Sequence, residues 1–274
     1  MILTVDGREA YAYTGGKPFD PALPCVVFLH GALFDHGGWT LLARWFANHG
    51  RCVLAFDLPG HIRSAGPALT NIEAMADWVL KAMKAAGVQR AALVGHSMGS
   101  LVALEAASTA PDRVSHLAMM STAVPMPVPQ ALLDLGHTDT LAAIDRVVMF
   151  SFSTLAAKPS YPGPGMWTRG AARALMRQVL TTSKMAQTDA NLFVTDFSAC
   201  NAYSRGLEAA AGVRCPATLV LGAHDQMTMP KAAREVAQRL KARVVTVNAG
   251  HFPMVEAPDP TLVALRDALF PEQG

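Results

Sequence analysis

Short runs of apolar residues alternate along this chain with longer stretches in which apolar positions recur every three or four residues. Cys25–Leu29 (CVVFL), Cys52–Phe56 (CVLAF) and Ala91–Val94 (AALV) are unbroken apolar runs. Runs of that length predict strands buried on both faces. Val114–Met120, Ala217–Leu221 and Arg243–Val247 are further strand candidates. Between them, Trp39 to His49 places Trp39, Leu42, Ala43, Phe46 and Ala47 at helical spacing and stops at Gly50. Ile72–Ala86 is a second amphipathic helix, ending at Gly87. Leu101–Ala107, Pro230–Leu240 and Pro260–Leu269 complete the helical set. At the start of the chain, Ile2–Val5 and Glu9–Thr14 flank Asp6-Gly7, a hairpin signal. Strands alternating with helices imply right-handed crossovers and a mainly parallel sheet.

The rhythm breaks at Val124-Pro-Met-Pro-Val-Pro129. From there to about Arg205 the pattern is helical only, over roughly Pro129–Leu135, Asp139–Phe150, Thr168–Thr182 and Asp189–Ala202, with a loop at Lys158–Gly165. This division predicts a core built from residues 1–123 and 206–274 and an inserted, all-helical cap, or lid, over 124–205. The cap residues Met126, Met149, Phe150, Phe152, Trp167 and Met185 are apolar and adaptable. They suit an acyl pocket and ordinary cap–core packing equally well.

Composition narrows the function classes. The 274 residues carry a net charge of +2 and are 51% hydrophobic, ample for a buried core. The absence of a Lys/Arg run argues against a nucleic-acid partner. There is no uninterrupted apolar stretch long enough for a bilayer, and the first residues lack the features of a signal peptide, so a cytoplasmic location is the expectation. Cys25, Cys52, Cys200 and Cys215 form no Cys-x-x-Cys pair, which argues against structural zinc; Cys25 and Cys52 each start a strand and are expected as neighbouring free thiols. Oligomeric state, monomer or homodimer, is left open.

The chemistry centres on Gly95-His96-Ser97-Met98-Gly99, set between the Ala91–Val94 strand and an apolar helix. That context predicts a nucleophile elbow presenting Ser97 at the C-terminal edge of the sheet. A serine hydroxyl needs a base, and the base needs an orienting group. Asp225 follows the Ala217–Leu221 strand, and His251 follows Arg243–Val247. In a parallel sheet these turns open on one edge, where ligands bind.

The chain resembles the α/β-hydrolase fold superfamily over nearly its whole length. The resemblance is carried by His30-Gly31 with Asp35-His-Gly-Gly-Trp39, by Asp57-Leu-Pro-Gly60, by Gly95–Gly99, by Gly222-Ala-His-Asp225 and by Gly250-His251. It implies an α/β fold with a mostly parallel eight-stranded sheet flanked by helices. It implies Ser97 as nucleophile, His251 as general base and then acid, and Asp225 as its orienting acid. It also implies an oxyanion hole from the backbone N–H of Met98 and of Ala32, with Leu33 as second choice, and a bracing role for His30. Two departures stand out. Gly60-His61-Ile62-Arg63-Ser64 replaces the superfamily's Gly-x-Gly-x-Ser, leaving His61 without a role, and Ser100 stands where relatives carry a second glycine. His30, His36, Trp39, Trp167, Asn201 and Tyr203 are pocket candidates, each with an ordinary packing role as the alternative.

The function expected is a hydrolase of small carboxylic esters, using water and no cofactor or metal, with His251 acting in its neutral form as the base. Carbon–carbon bond hydrolysis of diketo acids is the nearest rival; it needs cationic groups such as Arg169, Arg173 or Arg177 in the pocket. Perhydrolysis, and a non-catalytic ligand receptor on the same fold, are the others.

Overall fold

Residues 1–153, 164–182 and 191–270 are described by the computed structural model, the side chains of residues 164–167 excepted. The strand candidates form one eight-stranded sheet among these residues. Its strands are β1 (Ile2–Val5), β2 (Arg8–Tyr13), β3 (Cys25–Leu29), β4 (Cys52–Phe56), β5 (Ala91–His96), β6 (Val114–Met120), β7 (Ala217–Gly222) and β8 (Arg243–Val247). Their spatial order is β1-β2-β4-β3-β5-β6-β7-β8, with β1, β2 and β4 paired antiparallel and every pair from β4 to β8 parallel. The Asp6-Gly7 turn joins β1 to β2 with both residues at positive φ, 49° and 76°. That pair of dihedrals matches the twist of a hairpin.

The helices follow from the periodic stretches: α1 (Thr40–Asn48), α2 (Ile72–Ala85), α3 (Met98–Thr109), α4 (Gln130–Thr138), α5 (Thr140–Ser151), α6 (Pro164–Thr182), α7 (Leu192–Ala202), α8 (Gly206–Gly212), α9 (Arg234–Leu240), α10 (Pro253–Glu256) and α11 (Pro258–Leu269). α1 packs with α11 on one side of the sheet, and α3 packs with α2 and α8 on the other. α3 is buried from Met98 through Ala107, which explains why its apolar residues lie on every face, with Ser100 and Glu105 the polar exceptions in that stretch. β3, β4 and β5 are buried along their whole length, as unbroken apolar runs require. Cys25 and Cys52 are register partners on β3 and β4, and all four cysteines are free.

Three of the differences from the sequence reading have a local cause. α6 starts at Pro164 instead of Thr168, because a proline fits the first turn of a helix as well as a loop. Pro230–Ala233 is a separate 3-10 turn before α9. The seven-residue α8 is too short and too small in side chain to show periodicity. The remainder of the expected Lys158–Gly165 loop, residues 189–190 and Met185 lie outside the described residues.

Strand order places the site. From β3 the chain moves outward to β4, then returns across β3 to β5 and continues the opposite way to β6, β7 and β8. The turns after β3 and β5 therefore diverge, leaving a crevice at the strands' carboxyl ends. Those turns hold Gly31–Phe34 and Ser97. α4 to α7 all fall between β6 and β7, on the same edge.

Candidate active site

Ser97 joins β5 to α3 with φ 51° and ψ −119°, a strained conformation for a side-chain-bearing residue. Its surroundings enforce this. A Cβ on Gly95 would lie 2.0 Å from the Gly99 carbonyl oxygen, and one on Gly99 would lie 2.3 Å from that of Leu29. Only glycine permits the elbow to close this tightly on itself and on β3. The Ser97 N–H donates to the Met120 carbonyl (2.9 Å), anchoring the turn to β6. The Ser100 hydroxyl lies 2.5 Å from the Ser97 carbonyl oxygen and 2.7 Å from Thr122 Oγ1, which ties the start of α3 to the chain just after β6. Met98 opens α3, so its N–H has no carbonyl one turn back to bind.

β7 and β8 bring Asp225 and His251 together. The His251 Nδ1 lies 2.9 Å from Asp225 Oδ2, and both residues are buried. Asp225 also accepts from the Met227 and Thr228 N–H groups at Oδ1 and from the Thr228 hydroxyl at Oδ2. Burial alone would raise its carboxyl, but the His251 ring and the Thr228 donors hold it below the usual carboxylate range. The His251 backbone is fixed as firmly. Its N–H donates to Ser151 (2.6 Å), and its carbonyl accepts from His96 Nε2 (2.7 Å). Burial, reinforced by the neighbouring His251, pushes His96 down to about 3, so it is a neutral brace. Glu256 ties the preceding Gly250 N–H to the Ser153 backbone and hydroxyl.

The turn after β3 is Gly31–Phe34, closed by the Phe34 N–H on the Gly31 carbonyl (3.2 Å). His30 braces it: Nδ1 donates to Gly31 O (2.9 Å), while Nε2 accepts the Leu58 N–H (3.0 Å). That tautomer is neutral, in keeping with burial and the adjacent His61 charge, which push His30 down to about 4. The Leu33 N–H, the second choice expected for an oxyanion hole, donates to Asp196 Oδ2 (2.8 Å) and is occupied there. The Ala32 N–H has no hydrogen-bond partner among the described residues.

His61, whose role the sequence leaves open, donates from Nε2 to the same Asp196 oxygen (2.9 Å) and faces Pro59 O with Nδ1 (3.2 Å). Ile62, at the second glycine position of the superfamily pattern, has a positive φ of 30°, a strained conformation for a β-branched residue.

Ser97, His251, Gly31 and Ala32 open into one cavity of about 390 Å³. Its wall is mostly apolar, from Met126, Leu132, Leu135, Val147, Met176 and Phe197 among others. Arg146 is the cationic side chain the sequence reading missed there; nothing in its helical spacing marks it. Most of the pocket candidates lie elsewhere. His30 sits beneath the loop. His36 pairs with Asp57 (2.7 Å), which raises His36 against its burial and lowers Asp57 against its own. Trp39 is in the core against Phe28. Asn201 is exposed and accepts from the Val128 N–H (2.9 Å), and Tyr203 donates its hydroxyl to buried Glu105 (2.7 Å). The Trp167 side chain lies outside the described residues. Arg169, Arg173 and Arg177 do not line the cavity; Arg173 pairs with Asp145, and Arg169 donates to Met149 O (3.3 Å). Asp35, His36 and Asp57 group ligand atoms within 4.8 Å, but each is engaged in hydrogen bonds within the protein. No described helix is long and apolar enough to cross a membrane.

A family model for the alpha/beta hydrolase fold matches residues 24–258. A pimeloyl-acyl-carrier-protein methyl ester esterase of Chromobacterium violaceum is 28% identical over 263 residues, 90% of this chain and 94% of that protein. The dihydrolipoyllysine-residue acetyltransferase component of the acetoin cleaving system of Cupriavidus necator is 39% identical over 120 residues, and this match spans 43% of the chain and only 30% of that protein. Among solved structures, the enol-lactonase from Burkholderia xenovorans LB400 superposes with a TM-score of 0.81 at 24% identity, covering 98% of this chain and 99% of that one. At that identity the likeness speaks for the fold.

Proposed function

The chain belongs to the α/β hydrolase fold family, and on that basis we propose that it is a serine hydrolase of small carboxylic esters. The observation that carries this reading is the convergence of strained Ser97 with the buried Asp225–His251 pair on one mostly apolar cavity. Ser97 Oγ attacks the ester carbonyl while His251 Nε2 takes its proton. Asp225, held by four donors, keeps the Nδ1 proton in place and stabilises the imidazolium that forms. The oxyanion is received by the N–H groups of Met98 and Ala32; each such donor is worth about 10²–10³ in rate. His251 then protonates the leaving alcohol, and water releases the acyl group by the same route. The helices over residues 124–205 act as a cap, with α4, α5, α6 and α7 shaping the acyl cavity. The chain's similarity over nearly its full length to a methyl ester esterase supports this class of substrate. Arg169, Arg173 and Arg177, the cationic groups expected for carbon–carbon hydrolysis, lie away from the cavity, and Arg146 is the cationic side chain that lines it.

The test is Ser97→Ala against a series of nitrophenyl esters, with intact-mass detection of the acyl adduct. Turnover should fall at least about 10⁴-fold and the adduct should disappear. A Ser97→Ala variant that still turns over at the wild-type rate refutes the assignment.

A further inference from the structure

The turn that carries the Ala32 N–H is under strain. Leu33 occupies the third position of the Gly31–Phe34 turn with φ 53°. Turns with a left-handed third residue normally place glycine there, since a side chain in that conformation crowds the backbone. Leu33 is fully buried, so solvent does not satisfy its N–H. The acceptor that fixes it comes from 163 residues further along: Asp196 Oδ2, on α7. The same oxygen accepts from His61 Nε2, so one atom joins the turn after β3, the loop after β4 and a helix inserted after β6. Asp196 and His61 are both buried to within 1% of complete. Asp196 Oδ1 has no partner among the described residues, so the whole linkage runs through Oδ2. A carboxylate so deeply buried is costly unless paired. Burial opposes charge on His61, but the Asp196 carboxylate and the Pro59 carbonyl outweigh it and raise the imidazolium above its ordinary value. Both ring nitrogens of His61 have acceptors, which only the doubly protonated ring can serve together.

We propose that Asp196, neutralised by His61, is the positioning residue of the oxyanion hole: by holding the Leu33 N–H it keeps the strained turn in the form that aims the Ala32 N–H at the developing oxyanion. Without that acceptor the central Ala32–Leu33 peptide is free to rotate toward the unstrained form; the Ala32 N–H belongs to the adjoining Gly31–Ala32 peptide and is displaced through the compensating change in the Ala32 dihedrals that keeps the turn closed. α7 also lines the acyl cavity through Phe197 and Cys200. Asp196 thereby ties the geometry of the hole to the helix that meets the acyl group. This inference rests on the serine-hydrolase reading above.

The experiment compares Asp196→Ala and Asp196→Asn with the wild type, every rate being divided by the concentration of active sites titrated with a fluorophosphonate. Asparagine retains an oxygen for the Leu33 N–H; alanine does not. Asp196→Ala should lose about 10²-fold in kcat, the scale of one displaced oxyanion donor, with KM for a short nitrophenyl ester within about threefold. Its affinity for a trifluoromethyl ketone, which forms an oxyanion on addition of Ser97, should fall in parallel with kcat/KM. Asp196→Asn should recover to within about fivefold of wild type. A purely architectural role predicts fewer titratable sites of normal kcat and unchanged ketone affinity; that result, or an alanine variant within twofold per titrated site, overturns the proposal. Failure of the underlying reading is separate, because it shows as full turnover by Ser97→Ala.

Discussion

Asp225→Asn isolates what the carboxylate contributes beyond its shape. Oδ1 accepts two backbone N–H groups, from Met227 (2.8 Å) and Thr228 (2.9 Å). An asparagine must therefore place its carbonyl oxygen there, which puts its NH₂ group where Oδ2 faces His251 Nδ1. A donor at that position forces Nδ1 to act as acceptor and moves the ring proton to Nε2, the atom proposed to take the proton of Ser97. The variant keeps its geometry and loses its base. The corresponding tautomer inversion in a serine protease costs about 10⁴ in kcat, equivalent to ~5.4 kcal/mol of transition-state stabilisation. Stability should change far less, by about 1–3 kcal/mol, the scale of weakened hydrogen bonds to a buried charge. The assay is kcat and KM on a short nitrophenyl ester at neutral pH, normalised to titrated sites, alongside urea unfolding. Thr228→Val is the control: it removes one donor to Oδ2 while leaving the His251 contact, and a loss of only a few-fold is expected. If Asp225→Asn loses less than tenfold in kcat while folded, His251 does not depend on Asp225 for its tautomer, and the proposed triad is wrong.

The loop after β4 offers two further measurements. Ile62 has φ 30°, so Ile62→Gly should be more stable than Ile62→Ala by about 1 kcal/mol, both having lost the same side chain; the reverse order in urea unfolding would contradict a left-handed backbone there. His61 has a folded pKa raised above its ordinary 6.5 by Asp196. The stabilisation from its charge is fully present below about 6.5 and is lost as pH rises through the raised value. The stability gap between wild type and His61→Gln should therefore be widest near pH 5–6 and narrow at alkaline pH; a gap that widens with pH would show that His61 folds in neutral form.

The sequence is most informative where one physical rule dominates. A strand buried on both faces must be apolar throughout, so β3, β4 and β5 are visible as runs. Alternation with helices implies parallel pairing, and parallel pairing puts the turns bearing Ser97, Asp225 and His251 on one edge. The glycines of the elbow are equally legible, because side chains there would meet backbone at 2.0 and 2.3 Å. The pocket is not. His36, Asn201 and Tyr203 are polar residues in suggestive places, yet they serve Asp57, Val128 and Glu105. Helical spacing tells which residues share a face but not what that face covers. Arg146 therefore carries no mark in the sequence, and Trp39 suggests a pocket it does not reach.

Asp196 marks the boundary most clearly. In the sequence it is one acidic residue in a helical stretch, 135 positions from His61 and 163 from Leu33. No periodicity or motif links the three. Local pattern and short-range geometry suffice for the sheet, its active edge and the residue types that arrive there. Which buried charges neutralise one another, and which N–H groups remain open toward the cavity, is settled by packing alone. Those outcomes depend on a few ångströms of separation between segments far apart in the chain.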